Sequence, residues 1–235
     1  MATKTPSRSL SVLLAIGIAA VVLTGCTPES PELEPVEVPT SEPAPSATTP
    51  PVGTKPAVSE LVLTTEGLGE LHLGEAPPAK NPTTDLVTHS LDACEGTGSP
   101  TADLWLANYP ESDEGFGPQA PFAIQVSGDA LTRIDVNTSD IITDQGLALG
   151  SSLDALLGIY PGGPDEVLNH SDVSDVYVFL GTNGKLMFEV AVDRIPGYWD
   201  AEALNTVVHL SAITIDQPAY GVAATDNIIG VCNVS

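Results

Sequence analysis

The sequence predicts an α+β protein of two similar halves, each a short helix followed by an antiparallel β-meander. Three observations lead there. A Gly-rich segment near residue 65 is echoed near residue 144, a helix-period apolar pattern follows each copy, and strand-like alternations follow each pattern. The echo reads Thr65-Glu66-Gly67-Leu68-Gly69-Glu70-Leu71-His72-Leu73-Gly74 in one copy and Asp144-Gln145-Gly146-Leu147-Ala148-Leu149-Gly150 in the other. It divides the chain into repeats at 59–142 and 143–235, packed as one globular unit.

In the first half, Asn81-Pro82 opens a predicted helix with proline in its first turn, and Val87, Leu91 and Cys94 share a face until Gly96. A strand is expected over Asp103 to Tyr109. Phe122, Ile124 and Val126 alternate with Ala123, Gln125 and Ser127, and Gly128-Asp129 turns that strand into Leu131 to Val136. In the second half Ser151 or Ser152 caps a helix whose Leu153, Leu156, Leu157 and Tyr160 fall on one face. Pro161-Gly162-Gly163-Pro164 ends it. Strands over Val176 to Leu180 and Leu186 to Val192 flank Thr182-Asn183-Gly184, where Asn-Gly suits a two-residue type I′ turn. A last strand is expected over Thr206 to Ile215.

Ahead of these halves lies a segment that cannot fold alone. Thr27 to Val58 holds nine prolines, five glutamates and no aromatic residue, too little apolar surface to offset ordering entropy. Residues 26–58 therefore read as a tether, and polyproline geometry at about 3.1 Å per residue gives it a reach of about 100 Å at most. Residues 1–25 read as a secretion leader: Lys4 and Arg8 precede an apolar run from Leu10 to Leu23, short for a membrane-spanning helix. Leu23-Thr24-Gly25-Cys26 resembles the bacterial lipobox. That resemblance implies cleavage before Cys26, acylation of its thiol by palmitate-like chains, and a protein held on the extracytoplasmic face of the cell membrane, since two lipid chains anchor stably.

Composition narrows the partners. The chain carries a formal net charge of −24, with 31 acidic residues against seven Lys and Arg. All the acids lie after Cys26. Such a balance disfavours nucleic acid and anionic lipid surfaces, which need positive potential. Of three cysteines, Cys26 is taken by lipid, which leaves Cys94 and Cys232 for one disulfide outside the reducing cytosol. In chain-entropy terms that loop contributes about 4 to 5 kcal/mol.

The segment from Gly146 to Leu157, of pattern Gly-x-x-x-Gly-Ser-Ser-x-x-x-Leu-Leu, followed by a meander and duplicated, resembles the tandem α+β fold of outer-membrane assembly lipoproteins and secreted β-lactamase inhibitors. The stretch from Thr143 to Pro161 is similar to uncharacterised lipoproteins of high-GC Gram-positive bacteria. The resemblance implies a non-catalytic domain whose sheet face or loops bind another protein. Those inhibitors use aromatic-rich concave sheets, whereas this chain offers Trp105 and Trp199 as its large anchors.

Catalytic and metal motifs are sparse. Gly-x-Ser-x-Gly, Ser-x-x-Lys and His-Glu-x-x-His are absent, and His72, His89, His170 and His209 are far apart in sequence. His209 reads as a satisfied sheet residue. Asp135-Val136-Asn137-Thr138-Ser139-Asp140 starts like a calcium loop but has Asp140 where the turn needs Gly and Gly146 where a bidentate acid belongs. Glu111-Ser112-Asp113-Glu114 reads as a solvated acidic loop. No cofactor and no metal is expected. Pro196-Gly197-Tyr198-Trp199-Asp200 presents two adjacent aromatics on an irregular segment, so Tyr198, Trp199 and Trp105 are the candidate binding residues. The expected function is a lipid-anchored, non-catalytic interaction module with an envelope protein partner. The alternatives are an envelope hydrolase using a carboxylate pair and a solute or cation capture protein.

Overall fold

The computed structural model describes residues 54–79, 85–95, 104–111, 119–169, 171–220 and 229. Its strands are β1 (Val62–Thr64), β2 (Gly67–Leu68), β3 (Leu71–His72), β4 (Val87–Ser90), β5 (Leu104–Ala107), β6 (Phe122–Ser127), β7 (Ala130–Val136), β8 (Ile142–Thr143), β9 (Glu166–Leu168), β10 (Ser174–Leu180), β11 (Gly184–Ala191) and β12 (Val207–Thr214). One α-helix, α1 (Leu153–Ile159), lies between β8 and β9, and one 3-10 turn (Val58–Glu60) precedes β1.

The strands form three sheets among the described residues. The largest has the order β6-β7-β12-β11-β10-β9 and is antiparallel throughout. A four-stranded sheet, β3-β2-β1-β8, supports it, and β4 pairs with β5 alone, with β5 lying beside β6. The core lies where one face of the large sheet meets the small one. Phe122, Ile124, Ile134, Val136, Leu186, Phe188, Leu210 and Ala212 alternate along their strands toward Leu61, Leu63, Leu68 and Leu71.

These sheets overturn the two-half α+β expectation. The protein is mainly β, and the β7–β12 pairing, Leu210↔Val136 through Ile213↔Arg133, carries one sheet across the expected repeat boundary. The first predicted helix is absent where it can be followed, because residues 87–90 are β4, paired His89↔Trp105 and Val87↔Ala107. The β-branched Val87 and Thr88 fit a pleated surface better than a helix. Residues 81–84 lie outside the described residues. Just ahead of the two echo copies, β1 and β8 pair in parallel, Val62↔Ile142 and Leu63↔Thr143.

The second helix forms where its pattern places it. Ser152 Oγ accepts from the Ala155 amide at 3.1 Å and caps α1, whose buried residue is Leu156. At its end the Tyr160 ring stacks on Phe179 at 4.0 Å and meets Phe188 edge-on at 6.3 Å. Burial, with the charge of Asp144 adding to it, pushes the Tyr160 phenol up to about 12, and burial with Glu70 and Glu60 does the same to Tyr109. An unfolded tyrosine ionises near pH 10. Folded pKa values above that mean stability is intact below pH 10 and is lost as pH rises from about 10 through 12. A phenolate absorbance titration is expected to show at least two of the five tyrosines ionising near 12 as the chain unfolds. All five titrating near 10 in the folded protein would contradict this packing.

The β10–β11 turn forms where expected but in a different way. The Gly181 amide donates to the Gly184 carbonyl at 2.8 Å, so Thr182 and Asn183 are the corner residues. Among the described residues the one non-glycine with positive φ is Asn205, so the type I′ geometry is not used. Gly184 is required for space instead. A Cβ there would overlap the Thr65 carbonyl, Leu73 Cδ1 and the Ile213 carbonyl, and one at Gly181 would overlap the Thr65 side chain. The Glu66 carboxylate accepts hydrogen bonds from the Asn183 side-chain amide and backbone. The turn between β1 and β2 thereby grips the main hairpin.

Candidate functional site

The loop from Asp193 to Glu202, between β11 and β12, begins with a charge that has to be paid for. Asp175 on β10 is 9% exposed, and a carboxylate so enclosed needs partners. Arg194 supplies them: its Nη2 donates to both Asp175 oxygens at 2.6–2.7 Å, and its Nη1 donates to the Ser171 carbonyl at 2.9 Å. The Asp175 hydrogen bond, with the charges of Asp175 and Asp172, raises the Arg194 pKa against the opposing pull of desolvation.

Past Arg194, Pro196 lacks a ladder donor and Gly197 adopts φ +78°, so the chain turns back, with the Tyr198 amide donating to the Ile195 carbonyl at 3.2 Å. Trp199 is half-buried and its Nε1 donates to the Val173 carbonyl at 2.7 Å. Its indole N–H is therefore engaged within the fold. Tyr198 packs edge-on against Trp199, centroids 5.1 Å apart, and remains 50% exposed, as Ile195 does at 45%. Further along, the Ala203 amide donates to the Asp200 carbonyl and the Thr206 hydroxyl to the Ala203 carbonyl. The loop is thus pinned at both ends and presents one phenol and one branched aliphatic to solvent.

Trp105, the third predicted anchor, lies elsewhere. It is half-buried on β5 and stacks on its cross-strand neighbour His89, centroids 4.7 Å apart and planes 13° apart. The pair walls a shallow cleft of about 420 Å³ with Pro77, Val126 and Asp129. A second cleft of about 180 Å³ opens on the other flank of Trp105, and Ile229 reaches it.

Of the remaining predicted residues, Cys94 is buried at 2% and held in a disulfide; Cys26, Cys232 and His170 lie outside the described residues. His72 is exposed on β3. Glu111 is exposed, and Ser112, Asp113 and Glu114 lie outside the described residues. The calcium-like stretch is not a loop at its start: Asp135 sits in β7, bonded by Arg133 Nε at 2.7 Å and Nη2 at 2.6 Å. Asn137 Nδ2 donates to the Ala120 carbonyl and Thr138 Oγ1 accepts from the Asp140 amide, so these oxygens and nitrogens are used locally. No group of three His, Cys, Asp or Glu side chains among the described residues is arranged to hold a metal ion. No described helix is long and apolar enough to cross a membrane.

A polar row on the outer face of the large sheet went unnoticed in the sequence. Arg133, Asp135, Ser174, Glu189 and Ser211 are all buried there; Ser174 Oγ donates to Glu189 at 2.5 Å, and Glu189 faces His209 across β11–β12. His209 Nε2 lies 3.7 Å from Asp135. Tyr220 covers Arg133, its ring centre 4.6 Å from the guanidinium. Ser211 Oγ has no hydrogen-bond partner among the described residues. Arg133 and Asp135 were visible as opposite charges two apart on a strand, hence on one face. Asp175 with Arg194 carried no such signal, being 19 residues apart. Compared with protein-family models, with curated proteins and with solved structures, the chain matches none.

Proposed function

We propose that this chain is an extracytoplasmic lipoprotein, anchored in the cell membrane through acylated Cys26, whose β-rich domain is a non-catalytic binding module for an envelope protein. The observation that supports it most is the pinned loop. Tyr198 and Ile195 are exposed while Arg194 and Trp199 on either side are fixed to the β9–β10 connection. A loop already held in one conformation loses little entropy on binding, and tyrosine is enriched among residues that dominate interface energy.

The proline-rich segment from Thr27 to Val58 serves as the tether, and its last residues, Lys55 to Val58, are held against the domain through Asn108, Tyr109 and the core. Cys94 with Cys232 is the proposed disulfide: Cys94 is disulfide-bonded, and the proposal gives Cys26 to lipid. The binding surface requires neither cofactor nor metal, and the acidity of the chain opposes a nucleic-acid partner.

Mass spectrometry of the protein purified from membranes tests the anchor. The mature N-terminal peptide is expected to begin at Cys26 and carry acyl chains, and the unreduced digest to hold Cys94 and Cys232 in one cross-linked species. An unmodified Cys26, or a mature N-terminus elsewhere, would remove the anchor from the proposal.

A further inference from the structure

Positive charge is spent inside this protein. Among the described residues there are four cationic side chains of Lys and Arg, and each is engaged internally. Lys55 donates to the Asn108 carbonyl and lies over the Tyr109 ring. Arg133 is buried on Asp135, Lys185 donates to the Ile215 carbonyl at 3.3 Å, and Arg194 is bound to Asp175. The acids are distributed the opposite way. In the loop that carries the exposed Ile195 and Tyr198, the side chains of Asp193, Asp200 and Glu202 are exposed and have no hydrogen-bond or ionic partner among the described residues.

We infer that the partner meets this loop with a Lys- and Arg-rich face surrounding an apolar recess that receives Tyr198 and Ile195. The inference rests on the proposal that this loop is the contact surface. Carboxylates without partners form charge-assisted hydrogen bonds with incoming guanidinium or ammonium groups, and they repel acidic surfaces. The chain's net charge of −24 attracts any basic surface from a distance, which speeds encounter without choosing a place. The two exposed apolar side chains choose it, since they are where desolvation yields binding energy. The loop's carboxylates then select a basic partner over an acidic one.

The test uses the full-length lipidated protein in its own membrane, with a photo-crosslinking residue in place of Ala201. Three forms are compared: the otherwise unchanged protein, Tyr198→Ala, and the combined Asp193→Asn, Asp200→Asn and Glu202→Gln. The three carboxylates are exposed, so the neutralised form is expected to fold, with its melting temperature as the check. A basic partner requires a discrete crosslinked protein whose yield falls at least about tenfold on neutralisation. The yield must also fall as salt is raised from about 0.1 M to about 1 M, which shortens the screening length from about 10 Å to about 3 Å. If the neutralised form crosslinks like the unchanged protein while Tyr198→Ala does not, the basic partner is refuted and the loop proposal stands. If both variants crosslink like the unchanged protein, or no form crosslinks, the loop proposal fails and this inference falls with it.

Discussion

Arg133→Met is expected to lower stability by about 3 to 5 kcal/mol, because it leaves Asp135 buried without its counter-charge. Arg133 and Asp135 are 2% and 3% exposed, and two hydrogen bonds of 2.6–2.7 Å join them on one face of β7. The substitution also removes the cation beneath the Tyr220 ring. At roughly 2 to 4 °C per kcal/mol for a domain of this size, the melting temperature is expected to fall by about 10 °C. The pair itself is a weak source of stability, since taking two charges out of water costs about as much as their attraction returns. Arg133→Met combined with Asp135→Leu is therefore expected to recover most of the loss, to within about 1 to 2 kcal/mol of the unchanged protein. Urea midpoints for the single and double variants decide the matter; a double variant no better than the single one would mean that the charges do more than neutralise each other.

The next largest effect is expected at the turn that locks the small sheet onto the main hairpin. Gly184→Ala is expected to cost about 3 kcal/mol, because its methyl group meets two backbone carbonyls, those of Thr65 and Ile213, which cannot move aside cheaply. Gly181→Ala meets only the Thr65 side chain and is expected to cost about 2 kcal/mol. The two glycines should separate when the neighbour is trimmed. Thr65→Gly is expected to relieve Gly181→Ala and to leave Gly184→Ala as destabilised as before, a coupling that a double-mutant cycle measures directly. Equal rescue of both would place the crowding in the Thr65 side chain alone.

These sites show where the sequence was readable. Strands β6, β7, β10, β11 and β12 follow their alternation closely, and α1 follows its capping serine and its Leu153, Leu156 and Tyr160 spacing, while Leu157, expected on the same face, is exposed. Such signals are local. The first predicted helix failed because Val87, Leu91 and Cys94 match a helical face by spacing while Val87 and Thr88 favour a strand, and the pairing with Leu104–Ala107 settles the competition. The Asn183-Gly184 pair looked like a positive-φ turn, yet Gly184 is there because Thr65 and Ile213 come close, a constraint from residues far along the chain. The echo near residues 65 and 144 did not mark two helix-plus-meander halves; the strands just ahead of its two copies, β1 and β8, pair in parallel.

The candidate site divides in the same manner. Tyr198 and Trp199 stood out as adjacent aromatics after a strand, but only the geometry separates them, giving Trp199 to the Val173 carbonyl and leaving Tyr198 exposed. Ile195 carried no mark in the sequence. Its exposure depends on Arg194 being drawn to Asp175, and on Pro196 and Gly197 turning the chain.

Photo-crosslinking from single positions in native membranes addresses the proposed binding role most directly. A crosslinking residue placed at Ala201, in the loop beside Tyr198, in the lipidated protein is expected to capture one discrete envelope protein. The same residue at the exposed Asp154 of α1 is expected to capture none. Equal capture from both positions, or none from Ala201, would contradict a binding module that works through this loop.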